Sequence, residues 1–139
     1  VLRVVYFSFY LFLSWRRFRK AIQIAWFKKL TTEFPNWQQR KNVVFLPIYN
    51  EGWDVVAPTI NSFLASSYPA KSIYLVLAGE GRKADHWQKI QQLVLENYKG
   101  KFADIIFSTH PDGLPGEIPG KGSNIHFAEW EFKKYVRLG

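Results

Sequence analysis

The sequence contains neither cysteine nor methionine in its 139 residues. Without cysteine the chain has no disulfide framework, no thiolate metal site and no cysteine nucleophile. It begins at Val1 without an initiator methionine, which is typical of an internal piece of a longer protein. Apolar residues make up 47% of the chain and charged residues 22%. This balance excludes wholesale disorder and favours one domain with a buried core.

Acidic residues are scarce in the first third of the chain. Residues 1–41 hold nine basic residues and the single acid Glu33, whereas residues 42–139 hold ten of each sign. The whole net charge of +8 therefore belongs to the N-terminal segment. Since nucleic-acid-binding proteins carry basic residues over their working face, this distribution predicts no nucleic-acid partner.

The N-terminal segment joins an apolar run to a basic cluster. Twelve of residues 1–15 are apolar or aromatic, and the basic run RRFRK follows at 16–20. Because a membrane span needs about 20 apolar residues, we predict that residues 1–20 are the end of a transmembrane helix or a membrane-associated helix. Basic residues after an apolar run mark the cytoplasmic side, so we expect localisation at the cell membrane with the following domain in the cytoplasm.

Residues 21–41 are predicted to form a basic amphipathic helix on anionic lipid, followed by a polar linker. Membrane lipid is therefore an expected partner. The alternative is a soluble pair of helices packed on the domain. A signal peptide fits less well, because its charges would precede the apolar run and no small-residue cleavage site is present.

The rest of the chain alternates between strand and helix patterns. Three short apolar runs rich in β-branched residues predict strands at 42–48, 72–78 and 102–108. Helices are predicted to begin at the capping residues Asp54, Asp85 and Ser123, with Gln88 completing a capping box at the second. This order predicts an α/β fold with a parallel-type sheet flanked by helices and ligands at the carboxyl ends of the strands.

The first two loops at those carboxyl ends each carry a motif. Glu51 follows the first strand, where its carboxylate can accept hydrogen bonds from ribose hydroxyls. After the second strand, Gly79-x-Gly81-x-x-Ala84 fits the spacing of a dinucleotide-binding turn. That turn normally follows the first strand of its unit, and the expected acid is missing at the end of the next strand, so this reading is the less favoured one.

The third loop, residues 109–122, contains Gly116 and the run Gly120-Lys121-Gly122. Three residues instead of four separate the first two glycines, and Gly122 stands where a phosphate-binding loop has Ser or Thr. We therefore reject that motif, although Lys121 at a helix start can still hold an anion. The three histidines show no metal-ligand spacing.

Two segments together resemble the family 2 glycosyltransferases. VVFLPIYNEG, residues 43–52, resembles the first strand and turn of that family. GKGSNIHFA, residues 120–128, resembles its Gly-Lys-x-x-Asn-Leu-Asn-x-Ala segment, with His126 in place of the second Asn. The resemblance covers about residues 40–136 and is similar to the membrane-embedded synthases of the cellulose synthase type, which carry transmembrane helices and a basic amphipathic helix before this domain.

The resemblance implies the nucleotide-binding half of a GT-A fold over residues 42–139. It implies a nucleotide-sugar donor, with a UDP-sugar favoured, and transfer of the sugar to an acceptor hydroxyl with inversion, in polysaccharide or glycolipid synthesis. Carried over residue by residue, the backbone from Pro47 to Tyr49 would pack on the nucleobase, and Glu51 would contact the uridine beside Asn50. Lys121 and Asn124 would lie near the pyrophosphate or the sugar.

Two departures from the family pattern matter. The family carries Asp-Asp-Gly-Ser or Asp-Asp-Gly-Gly-Arg after the second strand, whereas this chain has Ala78-Gly79-Glu80-Gly81-Arg82. An ungapped match puts Ala78 and Gly79 at the acid positions. A shift by one residue puts Glu80 at the second acid, which it is then predicted to replace. The family's Asp-x-Asp, which holds a divalent cation (Mg or Mn), is expected beyond Gly139, together with the catalytic base. We therefore expect no metal ligand within this chain, a divalent cation in the full-length enzyme, and no turnover by the fragment alone.

Two other functions stay open at this stage. Loss of the acid pair is consistent with a non-catalytic, membrane-anchored module that binds nucleotide sugars. The spacing of Gly79 and Gly81 leaves a less favoured alternative, an NAD-binding oxidoreductase of the Rossmann type.

Overall fold

The computed structural model describes residues 2–117 and 120–138. The chain divides into two compact units, Val1–Gln39 and Arg40–Gly139.

The first unit contains two helices and a short 3₁₀ turn. Helix α1 spans Leu2–Ile22, helix α2 spans Trp26–Glu33, and the turn spans Trp37–Gln39. Helix α1 continues two residues past the predicted boundary at residue 20, to Ile22, and the predicted amphipathic stretch divides between α1 and α2. The indole Nε1 of Trp26 donates to the Ala21 carbonyl at 2.8 Å across the bend. Within the described residues, no helix has both the length and the apolarity to cross a membrane.

The second unit is an α/β domain, as predicted. Its three strands are β1 (Asn42–Pro47), β2 (Ile73–Glu80) and β3 (Asp104–His110). Its three helices are α3 (Trp53–Leu64), α4 (Ala84–Tyr98) and α5 (Lys121–Leu138). The strands form a parallel sheet in the order β1-β2-β3, so all three carboxyl ends lie at one edge.

Strand β2 is buried on both faces because α3 and α4 pack on one face of the sheet and α5 packs on the other. Leu75 and Leu77 join one core with α3 and α4, through side chains such as Ile60 and Val94. The alternate residues of β2 face the second core, which α5 covers; its members are Val76, Ala78 and Ala128, with Phe45 and Phe132 packed against them. Period-two alternation of the strand places these two sets on opposite faces.

Several predicted boundaries differ from the structure. Strands β2 and β3 each continue two residues past their predicted ends, to Glu80 and His110. Consequently Glu80 belongs to the sheet, where it is paired in register with His110. Strand β1 ends at Pro47, one residue earlier than predicted, opposite Ala78.

The predicted helix caps are wrong. The N-cap of α3 is Gly52 instead of Asp54, and that of α4 is Lys83, so Asp85 and Gln88 form no capping box. Ser123 lies in the first turn of α5, where its Oγ accepts from the Gly120 amide at 3.1 Å and donates to the Gly120 carbonyl at 2.8 Å. Helices α3 and α4 begin one residue before the predicted capping residue, and α5 begins two residues before it.

Candidate functional site

The turn after β1 is organised by the carboxylate of Glu51. Its Oε2 accepts hydrogen bonds from the backbone amides of Tyr49, at 2.7 Å, and Asn50, at 3.1 Å. These bonds, led by the one from Tyr49, lower the pKa of Glu51, against the opposing effect of desolvation. Glu51 is therefore an ionised carboxylate at neutral pH.

Lys121, the first residue of α5, reaches the same carboxylate. Its Nζ lies 3.4 Å from Oε1 of Glu51, although the two residues are 70 positions apart in the chain. The α4 side contributes His86, whose Nε2 lies 3.0 Å from the Glu51 carbonyl oxygen. Loops and helix starts from three parts of the sequence thus converge on one residue.

Asn124 lies beneath this contact, on the inner face of α5. It is 2% exposed, and its Nδ2 donates to the Ala78 carbonyl at 2.8 Å. Among the described residues its Oδ1 is buried without a hydrogen-bond partner. Asn124 therefore anchors the first turn of α5 to the carboxyl end of β2, and this anchor fixes the backbone from which Lys121 projects.

Glu80, the last residue of β2, is bound to Arg82. Its Oε2 accepts from Nε of Arg82 at 2.9 Å and also from Nη2. The residue is only 7% exposed, so its charge is compensated in a largely dry setting. The hydrogen bond to Glu80 raises the pKa of Arg82 further above its ordinary value.

Tyr49 connects this ion pair to the Glu51 turn. The guanidinium carbon of Arg82 lies 5.0 Å from the centre of the Tyr49 ring, and Nζ of Lys83 lies 5.8 Å from it. Both distances fall within the range of a cation–π contact. We refer to Tyr49, Glu51, Glu80, Arg82 and Lys121 as the strand-end cluster.

A small cavity of about 80 Å³ adjoins the cluster. Its lining includes Glu80 and Arg82 from the end of β2, His110 from the end of β3, Glu117 and Ser123. His110 Nε2 and Glu117 Oε2 are 3.1 Å apart. Sequence reasoning missed this pair, because it ended β3 at residue 108 and placed His110 in the third loop. It also assigned no role to Arg82, although the Asp-Asp-Gly-Gly-Arg form of the segment that this stretch resembles ends in an arginine.

The remaining predicted residues lie around the same edge. Pro47 closes β1 opposite Ala78, and the Ile48 amide then donates to the Ala78 carbonyl at 2.8 Å. Tyr49 is 38% exposed at the surface of the turn. Residues 118 and 119 of the third loop, and the position of the Asp-x-Asp predicted beyond Gly139, lie outside the described residues.

The two glycines of the dinucleotide-like spacing have a packing role. Gly79 lies inside β2, and a Cβ built on it would overlap the indole ring of Trp87. A Cβ on Gly81 would stand 3.2 Å from the His110 carbonyl oxygen. Close packing against α4 and β3 accounts for both residues, and this weakens the NAD-binding alternative.

The described residues do not fit a divalent metal centre. In residues 2–117 and 120–138, no three His, Asp or Glu side chains are grouped so as to hold a metal ion. Glu80, which was predicted to replace one acid, is bound to the guanidinium of Arg82. No catalytic step is therefore assigned to a metal here.

Comparison with known proteins found no matching family model, no matching curated protein and no matching solved structure.

Proposed function

We propose that this chain is the nucleotide-sugar-binding part of a membrane-associated glycosyltransferase similar to family 2. The observation that carries the proposal is the contact between Lys121 and Glu51. These residues belong to the two segments that resemble the family, and they meet at the carboxyl ends of parallel strands, where α/β sheets bind ligands.

The strand-end cluster offers the groups that a uridine nucleotide requires. Glu51 is an ionised acceptor for ribose hydroxyls, and by the resemblance the backbone from Pro47 to Tyr49 would pack on the base. Lys121, with its side chain 71% exposed, is available to the pyrophosphate. In the proposed reaction, an acceptor hydroxyl displaces the nucleoside diphosphate from the anomeric carbon of the sugar, with inversion.

Features of the first unit support its membrane association and a cytoplasmic position for the site. Helix α1 has no acidic residue, carries Arg16, Arg17, Arg19 and Lys20 near its end, and has no buried residue among those described. Its large apolar side chains are exposed; Tyr10, for example, is 51% exposed and Trp15 55%. Exposed aromatic residues beside a basic cluster are typical of a surface that binds anionic lipid.

The Glu80–Arg82 ion pair favours a second candidate, the non-catalytic binding module. A carboxylate already engaged by a guanidinium is not free to act as the acid that the family carries after its second strand. Both candidates bind nucleotide sugar, and they differ in turnover by a longer protein that includes this chain.

Both candidate functions require the chain to bind a uridine nucleotide, and titration of the full chain in non-ionic detergent tests this binding. We expect UDP to bind more tightly than NAD or ADP by calorimetry. Glu51→Gln should weaken UDP binding by about tenfold, the range of one charge-assisted hydrogen bond. The matched control is Glu129→Gln, which removes an exposed carboxylate paired with Lys133 on α5 and should leave binding unchanged. Equal affinity for UDP and NAD, or no UDP binding, would contradict the proposal.

A further inference from the structure

Arg82 is held from two sides at the edge of the strand-end cluster. Glu80 binds its Nε and Nη2, and the Tyr49 ring lies under its guanidinium at 5.0 Å. We propose that Arg82 binds the diphosphate of the nucleotide ligand and that Glu80 is the positioning residue that orients it. This inference rests on the proposed function and assigns to Arg82 a role that neither motif of the resemblance contains.

The hydrogen-bonding groups of Arg82 are only partly used. Nε and one side of Nη2 donate to Glu80, whereas Nη1 has no hydrogen-bond partner among the described residues. The side chain is 34% exposed, so its free donors are accessible to a ligand. A guanidinium presents its donors as a planar fork that matches phosphate oxygens, which a lysine ammonium does not.

Arg82 also lines two neighbouring cavities. It lines the cavity of about 80 Å³ beside His110 and a second, more open one of about 370 Å³ formed by residues 81–86. A nucleotide whose base lies on the turn at Tyr49 would extend its phosphates past this guanidinium. Asp112 is the other acid that acts on Arg82, and its charge opposes a bound anion. Lys83, beside the same ring, has the opposite effect.

Glu80 prepares Arg82 for this role. An arginine side chain in water samples many rotamers, and ordering it on binding costs free energy. The buried carboxylate and the aromatic ring impose that order before the ligand arrives. The Glu80–Arg82 pair therefore presents the ligand with a fixed cation.

The test compares UDP with uridine in buffer containing EDTA, using the full chain in detergent micelles. Arg82→Gln should weaken UDP binding by about tenfold or more and leave uridine binding unchanged, because only UDP carries the diphosphate. Lys83→Gln is the matched control, since it removes a cation from the same ring without a bound carboxylate; its effect on UDP should be smaller than threefold. Arg82→Lys should restore part of the loss.

The positioning role of Glu80 is tested by the ratio of UDP affinity to uridine affinity. Glu80→Gln should reduce the ratio of UDP affinity to uridine affinity, and Glu80→Asp should recover it in part. A purely structural role of Glu80 would lower both affinities together and would contradict the positioning role.

The failures are distinguishable. If the wild-type chain binds neither UDP nor uridine, the proposed function is wrong and this inference fails with it. If the wild type binds UDP and Arg82→Gln binds it equally well, or if Arg82→Gln and Lys83→Gln weaken it equally, only the inference is overturned. Circular dichroism checks folding; should Arg82→Gln not fold, unaltered UDP affinity in both Arg82→Lys and Glu80→Gln would overturn the inference.

Discussion

The indole ring of Trp87 covers Gly79 so closely that no side chain fits between α4 and β2 at this point. The same indole donates from Nε1 to Oγ1 of Thr109 at 2.7 Å. One side chain of α4 therefore contacts the last residues of both β2 and β3. Glu80 and His110 are the last residues of these strands, so the packing of Trp87 against the residues before them helps to position the candidate site.

Gly79→Ala should destabilise the domain by about 1–3 kcal/mol, the usual cost of overpacking a filled core. Denaturant unfolding measures the change. Gly122→Ala is the matched control, because a Cβ there meets nothing within 4 Å in the described chain and the residue lies in helix α5. That control should stabilise the domain by about 0.5–1 kcal/mol. Equal effects of the two substitutions would contradict the packing role of Trp87.

Asn124→Ala should cost about 1–3 kcal/mol of unfolding free energy, because it removes a buried hydrogen bond to Ala78 and leaves a small void. Asn97→Ala removes an amide–carbonyl hydrogen bond of the same length on exposed α4, from Nδ2 to the Leu93 carbonyl at 2.8 Å. We expect less than about 0.5 kcal/mol for that control. Similar losses from both substitutions would show that Asn124 does not anchor α5.

The stability contributed by Glu51 should depend on pH. Its pKa in the folded chain lies below the ordinary value of 4.5, so the unfolded chain takes up a proton first as pH falls. The contribution of Glu51 is therefore complete above about pH 5 and is lost as pH falls through the folded pKa. Urea unfolding between about pH 6 and pH 3 should show a shallower loss for Glu51→Gln than for the wild type. Parallel curves would contradict the prediction.

Replacing Arg16, Arg17, Arg19 and Lys20 by glutamine should weaken binding to vesicles containing phosphatidylglycerol by about a hundredfold or more at low salt. The reason is the loss of attraction between the end of α1 and anionic headgroups. Vesicle co-sedimentation measures the change. Substituting Lys133, Lys134 and Arg137 of α5 by glutamine provides the control and should have little effect. Binding that is insensitive to the four substitutions and to salt would contradict the assignment.

The strands were predictable because β2 reads as a continuous apolar run, and a parallel strand buried on both faces requires such a run. The end of β2 was not predictable, because Gly79 and Glu80 are residue types that are common in loops. The strand continues through them because Trp87 fills the space above Gly79 and Arg82 neutralises Glu80. Both partners are brought there by the tertiary fold, which local sequence does not reveal.

The site was predictable where a rule of topology applies. Parallel strands bring their carboxyl ends to one edge, and the loops that hold Glu51 and Lys121 were predicted to lie there; the structure brings the two side chains into contact. The contact between His110 and Glu117 forms only because β3 continues to His110. The contact between Arg82 and the ring of Tyr49 depends on the path of the short turn after β1. Neither follows from residue type and spacing alone.

The arrangement of the two cores has a consequence for synthesis of the chain on the ribosome. The elements that close the first face, β1 to β3 with α3 and α4, are all made before α5. Within the part of the second unit that the structure describes, the second face, with Val76 and Ala78 at its centre, is covered by Ala128 and Phe132 of α5. A nascent chain that stops short of residue 121 therefore presents a formed sheet with one apolar face open to solvent. Such an intermediate is prone to aggregation, and a chaperone that binds apolar surface would be needed for only that interval.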